Sequence, residues 1–218
     1  MKFLANPNIN RLTLHATLSQ LAWWISGAFL SVFLLRAGIA PAAIFLSFAA
    51  VRGLRFVFRP LVLLIIPRAG LRRTLMLATL VVALQYPMLA LVDGVGPALL
   101  AYCVVAALGD ALYLPCYHAC FAALGDAERR GSQLGVLQVL STIASVIGPA
   151  FGGLALASFG PWAAFGVAAL IEVVAILPLR GVAEVAVERA SPRDILAAAR
   201  AGVFLFLTDG WISRRSIR

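Results

Sequence analysis

Long apolar runs, separated by short polar breaks, occupy most of this chain. Six stand out, over residues 12–35, 41–66, 74–92, 97–123, 133–158 and 161–179. A membrane-crossing helix needs roughly 20 predominantly apolar residues, and each run reaches that length. The breaks carry turn chemistry: Ala37-Gly38-Ile39-Ala40-Pro41, Pro67-Arg68-Ala69-Gly70, Asp93-Gly94-Val95-Gly96-Pro97 and Phe159-Gly160-Pro161. Glycine and proline punctuate helices because one relaxes the backbone and the other removes a donor. The first run exceeds the usual apolar core of a signal peptide, about 7–15 residues, and reads as a retained first helix.

The pattern changes after residue 180. Residues 181–200 read as a cytoplasmic linker, in which Ser191-Pro192-Arg193-Asp194 can start a short helix. A new apolar run begins at Ala201 and yields to Arg214-Arg215-Ser216-Ile217-Arg218. It is too short to span, so residues 201–218 read as the start of an incomplete seventh helix with a basic tail. The switch at Ser213 has the pattern of a truncation or frameshift. The expected fold is an all-α membrane protein, a six-transmembrane-helix bundle over residues 1–180.

Composition agrees. The chain is 62% hydrophobic and 12% charged, against about 25% charged in soluble domains. A soluble fold of 218 residues could not bury so much apolar surface, whereas lipid allows an apolar exterior. The net charge of +9 invites a nucleic-acid reading. The basic residues form no single patch or stripe, so no nucleic-acid partner is expected. They sit between apolar runs instead. One side would carry Lys2, Arg11, Arg68, Arg72, Arg73, Arg129, Arg130 and Arg180, with Arg189, Arg193 and Arg200 in the linker; the other carries Arg36. The positive side is cytoplasmic. The expectation is a multi-pass protein of the inner or plasma membrane, N-terminus inside.

Charges inside the spans are expensive, about 2.5–3.5 kcal/mol each at mid-helix. Arg52, Arg55 and Arg59 share one face of the second span, and Asp110, Tyr113 and Tyr117 share a face of the fourth. Both spans run inward, and Arg52 and Asp110 fall at similar depths. Two readings stay open: a polar face that binds an anionic solute in a water-filled cavity, or a structural ion pair with Arg59 reaching the interface. The arginines should avoid lipid, with Asp110 nearest Arg52 or Arg55.

The first span offers His15, Ser19 and Ser26 on one face, and Trp24 and Gly27 on another. Trp24 can line a cavity or simply pack. His15 lies near the cytoplasmic end and is expected to be solvated. Glu172 in the sixth span is a candidate for a coupling proton, with no partner evident in the sequence. Cys116, His118 and Cys120 suggest a metal, but His118 points about 200° from Cys116 on a helix, so the three cannot converge. No metal, cofactor or disulfide is expected.

Three stretches resemble a known family. In the fifth span, Gly135 is followed by eight residues, Ala144, three residues, then Gly148-Pro149-Ala150-Phe151-Gly152-Gly153. The major facilitator superfamily's antiporter motif has this spacing, with glycine where Ala144 stands. Gly148 and Gly152 also form a small-xxx-small face for close helix approach, and Pro149 permits a bend. Between the second and third spans, Pro67-Arg68-Ala69-Gly70-Leu71-Arg72 resembles the superfamily's Asp-Arg-x-Gly-Arg-Arg loop at Arg68, Gly70 and Arg72. Pro67 replaces the acid and Leu71 an arginine, which weakens the usual charge-relay gate. The connection Gly125 to Gly131 is similar too. The fourth span lacks the arginine of proton-coupled drug antiporters and has Asp110 instead.

The resemblance implies a secondary active transporter moving a small solute, with an anion and a coupling proton as candidates. Superfamily members build their cavity between two six-helix halves, and this chain supplies one. The alternatives are a non-transporting fragment or partner subunit, or a membrane-embedded enzyme. An enzyme should cluster His, Asp or Ser near one interface, and no such cluster stands out.

Overall fold

A computed structural model describes residues 6–185, all within one compact unit. The readings made for the linker beyond 185 and for residues 201–218 lie outside the described residues. The helices are α1 (Pro7–Gly27), α2 (Leu30–Arg36), α3 (Pro41–Ala69), α4 (Leu71–Ala90), α5 (Pro97–Leu124), α6 (Arg130–Val174) and α7 (Ile176–Leu179), with a 3₁₀ turn at Ala127–Arg129. Pro7, Pro41 and Pro97 each sit in a first turn, where a missing N–H costs nothing. Asn6 caps α1, its side chain accepting from the N–H groups of Asn8 and Ile9 at 3.1 and 3.2 Å.

The helices match the apolar runs to within a few residues, with two differences. The first run breaks near Ala28–Phe29 into α1 and α2. Ser26 hydroxyl donates back to the Ala22 and Trp23 carbonyls at 3.2 and 3.3 Å, and such back-bonding bends helices. The fifth and sixth runs are continuous in α6 but for Gly160, whose φ of 81° and ψ of −179° are not helical. Only glycine adopts that conformation without strain.

Among the described residues, four helical stretches are long and apolar enough to cross a membrane: Pro7–Arg36, Leu71–Ala90, Pro97–Leu124 and Ala127–Leu179. The last has 53 residues, which at about 1.5 Å each is far more than one crossing of a core about 30 Å thick. Helix α3 has 29 residues, but its arginines interrupt the apolar surface.

The main helix contacts are α1 with α6, α4 with α5 and α6, and α3 with α5. Two apolar clusters stack along the bundle. One joins Leu12, Val62, Leu75, Cys116, Phe121 and Leu179. The other joins Ile25, Leu34, Tyr86, Leu99, Cys103 and Phe165. Outside, Phe45, Leu46, Val57, Val146, Phe151 and Phe159 are exposed, as an apolar solvent requires.

Candidate functional site

Helices α1 and α6 touch through glycines. A Cβ on Gly152 would sit 2.8 Å from the Ile25 carbonyl carbon, and one on Gly148 would meet the Trp24 backbone at 3.1 Å. Gly153 faces the Phe29 ring. Each of these would clash, so the glycines permit the close approach. Pro149 lies between the two contacts, inside α6. Gly135, which shares the motif, has nothing described within 4 Å of its Cβ position. It borders an apolar depression on α6 beside Val136 and Val139, so packing through Gly135 is not found within this unit. Sequence spacing alone could not tell an inward glycine from an outward one.

Seating Trp24 on Gly148 turns its neighbour Trp23 into the cavity. That cavity, about 280 Å3, is lined by Trp23, Ser31, Phe48, Arg52, Gln85 and Asp110, from α1 through α5. Trp24 is not among its lining residues; of the two readings open to it, it packs. Trp23 is 45% exposed and presents an aromatic wall. The signal for choosing between the two tryptophans was absent from the sequence, because it depends on where Gly148 docks.

Across α3 and α5, Arg55 Nη1 donates to Asp110 Oδ2 at 3.3 Å, forming an ion pair. This is the pairing that the spacing predicts. The side chains are 20% and 41% exposed, so Asp110 still faces the cavity. Arg52, one turn earlier on α3, lines the cavity and is itself exposed. Two guanidiniums against one carboxylate leave one net positive charge there. Arg59 is exposed and has no ion-pair partner among the described residues.

Tyr113 and Tyr117, one and two turns along α5 from Asp110, meet α1 at His15. Their rings stack at 5.9 Å with an interplanar angle of 2°, and both flank His15. His15 is fully buried, not solvated as expected, and its Nδ1 lies 2.8 Å from the Ala175 carbonyl oxygen. One turn on, Ser19 hydroxyl donates to Glu172 Oε1 at 2.9 Å. Glu172 thus has the partner that the sequence did not reveal. Among the described residues, His15 Nε2, Tyr117 Oη and Glu172 Oε2 are buried without hydrogen-bond partners. Unpartnered buried polar atoms of this kind are costly and commonly bind internal water.

At one end of the bundle, Arg72 holds the chain that follows α7. Its backbone N–H donates to Glu184 Oε1 at 2.9 Å, its Nε lies 3.3 Å from Glu184 Oε2, and its Nη1 donates to the Val182 carbonyl at 3.1 Å. Arg11 donates to the Gly181 carbonyl, and the Ala183 N–H donates to Asn8 at 2.9 Å. Gly70, with φ 83°, packs directly under the Glu184 carboxylate. Arg68 bonds back to the Leu64 carbonyl at 2.7 Å. Glu184 therefore places a carboxylate against this loop, at Arg72. Among the described residues no group of His, Cys, Asp and Glu could hold a metal, and Cys103, Cys116 and Cys120 are free thiols.

Among the described residues, a bundle of apolar helices with an apolar exterior has the character of a multi-pass membrane protein. Residues 12–214 match the sequence profile of the Major Facilitator Superfamily, and the chain belongs to that family. No curated protein sequence matches it. Solved structures share the fold. A peptide transporter POT mutant in complex with sulfate aligns with a TM-score of 0.66 and 16% identity, covering 94% of this chain and 45% of that one. The same mutant in complex with alafosfalin gives 0.65 and 16%, covering 94% and 46%. The POT family transporter PepTSo gives 0.62 and 18%, covering 86% and 40%. The chain thus spans less than half the length of each, and at these identities the likeness is one of fold.

Proposed function

We propose that this chain forms the N-terminal half of a secondary active transporter that moves a small anionic solute by alternating access. The observation that carries the reading is the convergence of Arg52, Asp110 and Trp23 on one cavity within a Major Facilitator fold. Arginine in a membrane interior is costly and is kept where it meets water, an acid or a ligand. Asp110 satisfies Arg55, and Arg52 is left facing the cavity.

The close α1–α6 contact through Gly148 and Gly152, with Pro149 between, supports a hinge on which the helices rock. The Arg72–Glu184 contact supports a clasp at the end carrying Arg11, Arg68 and Arg180, which positive-inside bias makes cytoplasmic. In this reading residues 1–180 cross six times, 181–200 form a cytoplasmic linker and 201–218 begin a further helix. Glu172 is the buried acid available for a coupling proton.

The test is uptake of a panel of small anions into proteoliposomes by the full protein carrying this chain, with and without a proton gradient. Arg52→Ala should cut uptake of the transported anion at least about tenfold, the equivalent of about 1.4 kcal/mol, with little change in unfolding temperature. Uptake of neutral solutes alone, or uptake indifferent to Arg52→Ala, would overturn the reading.

A further inference from the structure

We propose that His15 and Glu172 share a single proton inside the α1–α6 contact, forming a proton site sealed from the cavity. The inference deepens the transport reading above, because it gives the acid available for a coupling proton its partner. Its test does not depend on transport.

Both side chains are fully buried, and neither lines the cavity. Two contacts place them. His15 Nδ1 lies 2.8 Å from the Ala175 carbonyl oxygen, and Ser19 hydroxyl donates to Glu172 Oε1 at 2.9 Å. His15 and Ser19 stand one turn apart on α1, while Glu172 and Ala175 stand three residues apart at the end of α6. The imidazole and the carboxyl are thus neighbours along the contact, separated by one helical turn of about 5.4 Å. A direct hydrogen bond between the side chains, or one bridging water, spans that step.

Counting donors and acceptors decides the pairing. A carbonyl oxygen only accepts, so His15 Nδ1 carries a hydrogen, and Nε2 of the neutral ring is then an acceptor. Both oxygens of a carboxylate are acceptors too. His15 Nε2 and Glu172 Oε2 are each buried without a partner. Two acceptors with no donor between them are both unsatisfied, and one proton satisfies both. The pair is then an acid beside a neutral ring or a carboxylate beside an imidazolium. Either form has no net charge, which a low-dielectric interior tolerates far better than a lone carboxylate. Among the described residues no cation pairs with Glu172. The other titratable side chains near the two are phenols, Tyr86 of α4 and Tyr113 and Tyr117 of α5, and α7 is apolar.

Infrared and nitrogen magnetic resonance spectra of the full protein carrying this chain, in nanodiscs at neutral pH, count the protons. Difference spectra against Glu172→Gln and His15→Gln assign the two groups, and either variant suffices if the other does not fold. One shared proton is expected. Its signature is a protonated Glu172 carboxyl with a ring protonated at Nδ1 alone, or a carboxylate with a ring protonated at both nitrogens. His15→Gln should shift the Glu172 band, Glu172→Gln should shift the His15 ring signals, and Tyr117→Phe should move neither. On transfer to D2O the shared proton should exchange much more slowly than the mixing time. A carboxylate beside a neutral ring, two protons on the pair, or each group indifferent to substitution of the other would overturn the inference. Loss of the signature in Tyr117→Phe would make the phenol the partner of Nε2 and overturn it too, and exchange within the mixing time would overturn the seal. Failure of the transport reading would leave these spectra unchanged.

Discussion

Ser19 donates a 2.9 Å hydrogen bond to Glu172, across the α1–α6 contact and one turn from the point where His15 meets the Ala175 carbonyl. The two contacts form a polar seam inside an apolar bundle. A polar group buried without a partner is costly, so the seam specifies how α1 docks on the end of α6. Ser19→Ala strips Glu172 of its described partner. It should destabilise the protein by about 1–3 kcal/mol. Glu172→Gln keeps an acceptor for Ser19 and should cost less. Thermal unfolding in detergent measures both, and a Ser19→Ala variant as stable as wild type would remove the seam from the account.

The α1–α6 contact makes two glycines of one motif behave oppositely. Gly152→Val drives a side chain into the Ile25 backbone and should cost about 1–3 kcal/mol or more, with transport impaired. Gly135→Ala meets nothing described within 4 Å and should stabilise α6 by up to about 1 kcal/mol through helix propensity. Equal responses at the two positions in the same melting assay would contradict the packing.

Gly70 and Glu184 provide a third test. Gly70 holds a φ of 83° beneath the Glu184 carboxylate, so an added methyl meets both backbone strain and a clash. Gly70→Ala should destabilise by about 1 kcal/mol or more. Glu184→Ala should relieve part of that loss when combined with it, a non-additive result expected only of residues in contact. Strict additivity in the double variant would argue against the clasp. Glu184→Ala alone should cost little, since the ion pair is 28% and 35% exposed.

The three cysteines are a built-in reporter. Cys103, Cys116 and Cys120 are at most 3% exposed, so N-ethylmaleimide should label none of them until the protein unfolds. Single cysteines placed at the exposed positions 73, 95, 128 and 159 in a background lacking all three should react alternately from the two sides of the membrane. Residues 73 and 128 should share the cytoplasmic side. Any other order would overturn the six-crossing arrangement.

The existence and bounds of the helices were legible because apolar runs, glycines and prolines act locally. Pro41 and Pro97 follow polar or glycine-rich breaks and stand in the first turns of α3 and α5, and Gly160 interrupts α6 with a φ of 81° that favours glycine. The Arg55–Asp110 pair was legible too, since two costly charges at matching depth in an apolar solvent have few other partners. What only the tertiary structure decided depends on which helix face meets which neighbour. Trp23 lines the cavity and Trp24 packs because Gly148 and Gly152 dock where they do. His15 is buried because α6 and α7 close over it, and Glu172 finds Ser19 across 153 residues of chain. Glu184 reaches Arg72 from 112 residues away. The apolar runs carry no record of these contacts, because a membrane helix is apolar on nearly every face and its periodicity does not mark the inward one.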